Sequence, residues 1–437
     1  MNAPTSRSER RVHLNTAGTG RMPAAVRAVL AECARREDRY GHHELEEDLE
    51  DVLHTEIHER LAGLLNVPAG DTVLCTGAAD AFAALLARLP LGPGDRVWTT
   101  PYESAANLTA LFALRDRTRC RLDVVPLRPD GDVDLEWMAE HVDERVALVS
   151  LTHVPSGCGI VSPVEAVGRI LAPHRCLYAV DASHAAGQLP LDASRIGCQL
   201  LTGDGWRFLR GPYGVGFAYV APQLRRLPAP AGTEPPRPPE IAAVAAFHTA
   251  LAQHAAATVA PYEDLLPALR AAVEAAPGAE LIAPGRTQSG ILAFRHAGLP
   301  AGLIRRGLAE RGVVVGKTVG QEVPLFMPGR GITTAVRVSV HLDNAPGDID
   351  RFGEALAGVL AQERAGAVPA PRALHTATPQ APAPAQAPAQ APVQGSGARI
   401  RLPRQRAAAG RHLTLVSGTD AGPQPAWSGG GAPLDRE

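Results

Sequence analysis

Lysine is almost absent from this chain: of 43 basic side chains, Lys317 is the one lysine and the other 42 are arginine. Chemistry that needs an amine able to lose a proton therefore has a single side chain to draw on. Paired cysteines are missing too. Cys33, Cys75, Cys120, Cys158, Cys176 and Cys198 are scattered without a CxxC spacing, which excludes a disulfide framework or a cysteine zinc site, and apolar neighbours (VLCTG, HRCLYAV) predict buried thiols. No apolar run reaches the length of a bilayer span, and the amino terminus MNAPTSRSERRVHLN has none behind its arginines, so the expected location is cytoplasmic, off the membrane. Nor is there an excess of one charge. A net charge of -2 offers nucleic acid no basic surface.

What is present is an ordinary globular balance, 45% hydrophobic and 20% charged over 437 residues, enough for a large α/β core or two domains. After a helical stretch over 21–67, short apolar runs alternate with helical segments: TVLCTG, RVWTT, RLDVVPL, ALVSLTHV, CLYAVDA and VGFAYV. That alternation predicts a mostly parallel sheet wrapped by helices, with ligand chemistry at the carboxyl ends of the strands. A second unit with ILAFRHA, AGLIRRGLAERG, VVVG, AVRVSVHL and a last helix from Pro346 reads as a small α+β domain. The expected organisation is an amino-terminal segment over 1–20, a large domain over 21–265, a small domain over 266–364 and a tail over 365–437. The Pro/Ala/Gln bias of APAPAQAPAQAPVQGSG cannot build a core, so that tail is expected to be disordered. The Pro-rich insert at 225–240 reads as a mobile loop.

Three local patterns invite chemistry. His54 and His58, four apart behind Glu47 and Glu50, could face a metal, but the order lacks HExxH and such charged helices are usually solvated faces, so no metal is expected. Cys158, in a Gly-rich turn beyond the strand end carrying His153, could form a Cys/His nucleophile, against the commoner fate of a buried turn thiol. Gly211-x-x-Gly214-x-Gly216 leads into a strand, the wrong context for a nucleotide turn.

Several ordered segments together carry a more specific signal, spanning roughly residues 11–362. They are Leu14-Asn15-Thr16-Ala17-Gly18, Leu151-Thr152-His153-Val154-Pro155-Ser156, Val180-Asp181-Ala182-Ser183-His184-Ala185-Ala186-Gly187, the stretch Gly203 to Phe217, and Val336-Arg337-Val338-Ser339-Val340-His341. In this order the chain resembles class V aminotransferases and cysteine desulfurases, in the branch with isopenicillin N epimerase-like and ergothioneine-pathway members. The resemblance implies the fold-type I transferase fold, with a seven-stranded-type sheet in the large domain. It also implies pyridoxal phosphate as cofactor, a small amino acid or carboxylate as substrate, and a homodimer. Asp181 would face the pyridine nitrogen, Arg337 would bind a substrate carboxylate through a two-toothed ion pair with Asn15 beside it, and Asn107 would lie on the cofactor side.

At four positions the chain departs from the pattern. Arg207 stands where the family has its Schiff-base lysine, and a guanidinium cannot form that bond. Ala79 and Asp204 replace the two hydroxyls that hold the cofactor phosphate, and Ser104 replaces the ring stacker. A carboxylate at 204 would repel a phosphate dianion. The expectation is a diverged protein without standard cofactor catalysis, using Arg207, His153 and His184 as acid-base or anion-binding groups. Trp206 could fill vacated space, against the commoner reading of simple packing. Two alternatives stand beside it: a silent paralogue that dimerises with an active homologue, and an enzyme in which Lys317, on the loop after VVVG, supplies the amine.

Overall fold

The computed structural model describes residues 11–228, 235–256 and 261–364. The tail over 365–437 and the centre of the Pro-rich insert lie outside the described residues. Twelve strands are described: β1 (Val12–Leu14), β2 (Thr72–Cys75), β3 (Arg96–Thr99), β4 (Arg121–Val124), β5 (Val146–Thr152), β6 (Leu177–Asp181), β7 (Leu200–Asp204), β8 (Gly216–Val220), β9 (Ala279–Ile282), β10 (Ile291–His296), β11 (Val313–Val319) and β12 (Thr334–Ser339). They form two sheets. One has seven strands in the order β2-β8-β7-β6-β5-β3-β4, and only β8 runs against the rest.

The central strands are almost wholly apolar because helices cover both faces, as a parallel sheet requires. Residues Leu200 to Asp204 are buried throughout β7. Leu177, Tyr178, Ala179 and Val180 lead in β6 to a carboxylate at its end. The two neighbours thus each finish on an aspartate, Asp181 and Asp204, at the edge where parallel α/β sheets bind ligands. Helix Ala78–Leu86 follows β2 and packs against β7 and β8, which brings its amino terminus to the end of β7.

The other sheet has the order β1-β11-β12-β10-β9. Its core holds Leu14, Leu292, Phe294, Val313, Val315, Val336, Val338 and Phe352, the last from the helix Pro346–Arg364. Within the amino-terminal segment, Val12, His13 and Leu14 pair in parallel with Val313, Val314 and Val315, which ties it to this sheet. Lys317 differs from expectation. It lies inside β11, opposite Val336, and is exposed, whereas the sequence placed it on a loop reaching the site.

Candidate active site

A cleft of about 580 Å³ opens over the carboxyl ends of β5, β6 and β7. Its walls include Gly18 after β1, Gly77 to Ala79 at the helix start, Ser104 to Asn107 after β3, Thr152 and Ser156 at the end of β5, Asp181 and His184 at the end of β6, Asp204, Trp206 and Arg207 at the end of β7, and Arg337 of β12 with Glu322. Most of these walls are strand ends or helix starts, where backbone groups lack partners within their own element; Arg337 reaches in from within β12.

Asp181 is held by three donors. Its Oδ1 accepts from the Ser183 backbone N–H at 2.9 Å and the Ser183 hydroxyl at 2.5 Å, and its Oδ2 accepts from Asn107 Nδ2 at 3.0 Å. Asn107 Nδ2 also donates to Glu103 Oε1 at 2.9 Å. Glu103 is fully buried and accepts in addition from Thr152 Oγ1 at 2.6 Å, Ser150 Oγ at 2.7 Å, Thr99 Oγ1 at 3.2 Å and the Ser104 N–H at 3.2 Å. Burial pushes its carboxyl above the usual range, opposed by those hydroxyl and amide donors. Sequence reasoning missed Glu103 as a site residue. Its position just past a strand end, in Thr99-Thr100-Pro101-Tyr102-Glu103, was the available signal. Ser104 caps the following helix, accepting from the Asn107 N–H at 3.2 Å, a local task for a side chain of its size.

Asp204 and Arg207 form one unit. Asp204 Oδ1 accepts from the Ala78 N–H at 3.0 Å, and its Oδ2 accepts from Arg207 Nε at 2.8 Å. Arg207 Nη1 donates to the Ala17 carbonyl at 2.6 Å. The turn itself is pinned: Gly20 N–H donates to the Trp206 carbonyl at 2.8 Å and Gly211 N–H to the Gly205 carbonyl at 2.8 Å. Burial raises the Asp204 carboxyl, against the lowering by Arg207 and the Ala78 amide. Trp206 is nearly buried and lies 4.7 Å from Tyr213, ring centre to ring centre. Its ring also faces Gly77, where a Cβ would meet it at 3.1 Å. Trp206 thus fills space beside the helix start. Ala79 is exposed at the rim, and the carboxylate next to it, Asp80, is taken by Thr76 Oγ1 at 3.1 Å and the Arg237 N–H at 2.8 Å.

Arg337 is the buried cation of the cleft. Its side chain is 9% exposed, its Nη1 lies 3.7 Å from Glu322 Oε2, and its Nε has no partner. Burial first, and the Arg207 charge after it, push its pKa down to about 10, so it stays charged at neutral pH. Asn15 Oδ1 is likewise buried without a partner. Both flank Gly316, whose lack of a side chain makes room for them. His184 lies nearby, its Nε2 bonded to the Ala17 carbonyl at 3.2 Å, and burial with the charges of Arg207 and Arg337 pushes its pKa well down. A carbonyl can only accept, so Nε2 carries the proton and the ring is neutral.

Two sequence expectations are corrected, those for His153 and Lys317, while Cys158 is the buried turn thiol that was the commoner reading. His153 does not line the cleft: it is buried with Nδ1 unpartnered, and burial lowers its pKa to about 4. Thr152 takes the inward position, and successive residues of an extended chain point opposite ways. Cys158 is no nucleophile, being packed among Tyr102, Ile160, Val323 and Met327, where burial pushes its pKa up to about 12. Lys317 is outside the cleft. Among the described residues no cluster of His, Cys, Asp or Glu could hold a metal ion, and no helix is long and apolar enough to cross a membrane. His58 instead shares a hydrogen bond of 2.7 Å with Thr72.

The profile of the class-V aminotransferase family matches residues 12–235. A protein described as a "Probable cysteine desulfurase" from Halalkalibacterium halodurans is 26% identical over 215 residues, 48% of this chain and 52% of that one. Against such curated relatives the match spans about half their length. A "Probable hercynylcysteine sulfoxide lyase" from Mycobacterium tuberculosis is 27% identical over 370 residues, covering 80% of this chain and 90% of that protein. In structure, a cysteine desulfurase from Escherichia coli superposes with a TM-score of 0.72 at 20% identity, over 80% of this chain and 95% of that one. At that identity the likeness speaks for the fold.

Proposed function

Because the chain belongs to the class-V aminotransferase family, we propose that it is a diverged member whose cleft takes a small amino acid or related carboxylate without aldimine chemistry. The observation that carries this reading is Arg337, a buried cation on the cleft wall whose Nη1 lies a loose 3.7 Å from Glu322 Oε2. A carboxylate is the two-pronged acceptor that a guanidinium matches.

A solved neighbour of this fold, a mutant of C-DES, holds glycine covalently linked to its pyridoxal phosphate cofactor. Asp181 fits a pyridinium. The rest do not: no lysine lines the cleft, Arg207 is committed to Asp204 and Ala17, and the first helix amide is already bonded to Asp204. What the residues can do is bind a carboxylate at Arg337, hold Asp181 as a fixed anion, and offer neutral His184 as a proton acceptor at Nδ1. A second reading, a silent paralogue that binds without turnover, is favoured by the Arg207 guanidinium at the family's lysine position, bonded to Asp204 and the Ala17 carbonyl, since it supplies no nucleophilic amine.

Calorimetric titration with a panel of small amino acids and their deaminated carboxylates tests the reading. At least one should bind the wild type, and Arg337→Ala should weaken it by about tenfold or more, a difference of about 1.4 kcal/mol. Binding that survives this substitution would sink the proposal. Measured turnover of the bound compound separates an active cleft from a silent one.

A further inference from the structure

The Asp204 carboxylate does more than fail to fit a phosphate. It sits 3.0 Å from the Ala78 amide at the start of a nine-residue helix and 2.8 Å from the Arg207 guanidinium, two donors of the kind that hold a phosphate monoester. Trp206 closes the same corner against Gly77. Asp204 is 5% exposed and lies 126 residues from Ala78 in the chain, so the contact is a tertiary one built by the packing of β7 against that helix.

We infer that Asp204 is an internal ligand that occupies the cleft's phosphate cradle, so that the native protein excludes phosphorylated pyridine cofactors. One negative charge is supplied by the chain itself and neutralised by Arg207, leaving the helix amide satisfied with no bound cofactor. An incoming phosphate dianion would have to displace a buried, ion-paired carboxylate whose own charge repels it. The inference concerns the phosphate end of the cleft alone and stands whichever carboxylate Arg337 takes. It also orders the divergence: replacing Arg207 by lysine leaves the cradle filled.

Pyridoxine 5′-phosphate is a suitable probe because it carries the phosphate and ring but no aldehyde, so lysine chemistry plays no part. Equilibrium dialysis should show no saturable binding to the wild type or to Arg207→Lys. Asp204→Ser removes the charge and frees both donors, and should gain at least about tenfold in affinity for the phosphorylated compound with no gain for pyridoxine itself. Asp204→Asn keeps the side chain's size and should show a smaller gain in the same direction, which keeps the test open if the serine variant folds poorly. Wild-type binding as tight as that of the variants would overturn the inference. So would an equal gain for phosphorylated and unphosphorylated forms, since that would mean space, and not charge, had been the barrier.

Discussion

Removing Arg207 should create a pH-dependent stability defect whose sign follows from Asp204. In Arg207→Ala the Asp204 carboxylate keeps the Ala78 amide at 3.0 Å but loses its partner at 2.8 Å while remaining 5% exposed. Breaking one side of a buried ion pair costs about 3–5 kcal/mol, and the retained amide with the 21% exposure of the Arg207 side chain argues for the lower end, about 3 kcal/mol. Burial already raises the folded pKa of Asp204, and Arg207 opposes that rise. Losing Arg207 therefore raises it further above the unfolded value near about 4. Stability from a carboxyl raised in this way is present in full below the unfolded pKa and is lost as pH rises through the folded one. The deficit of the variant against wild type, measured by urea denaturation, should be large near neutrality and shrink as the pH is lowered toward about 4. Asp204→Asn added to the variant should remove the pH dependence. A deficit that is flat, or that grows toward acid, would refute the pairing as the source.

Other consequences can be checked with simple variants. Glu103→Ala strands the donors of Thr99, Ser104, Asn107, Ser150 and Thr152 and should cost at least about 3 kcal/mol by denaturant titration, at about 1–3 kcal/mol for each buried donor left unmet. Carboxylate binding at the cleft should then weaken, because Asn107 no longer steadies Asp181. All six cysteines are free and buried, and burial pushes Cys75, Cys158, Cys176 and Cys198 up to about 12. A thiol reagent should label none of them in native protein at neutral pH and all six after denaturation. Lys317→Ala, changing an exposed residue outside the cleft, should leave ligand affinity within about twofold, a change of about 0.4 kcal/mol; a larger loss would return Lys317 to the site.

What could be read from the sequence was what local pattern dictates. Apolar runs ending in Asp181 gave the parallel sheet and its ligand edge, and the late strand gave Arg337. Contacts made across long stretches of chain could not be read. Val12 to Leu14 is three residues long, and its pairing with β11 lies some 300 residues away. Asp204 was legible as a charge opposed to phosphate, but not as the bonded partner of Ala78. The family resemblance, which implied a loop after VVVG, misplaced Lys317. In β11 Gly316 makes room for Asn15 and Arg337, a packing reason that a single sequence does not display. Glu103 was overlooked because a buried carboxyl among hydroxyls has no motif of its own.

The central claim is that this family member has a cleft without an amine. Its single lysine makes the test unusually clean. Incubation with pyridoxal phosphate, reduction with borohydride and peptide mapping can leave a reduced side-chain adduct at Lys317 and at no other residue. The account predicts that any adduct there forms as on a free surface lysine, without saturating at one equivalent of the aldehyde and without change in Asp181→Asn. A one-to-one adduct on Lys317 at a stoichiometric dose, lost in Asp181→Asn, would contradict it.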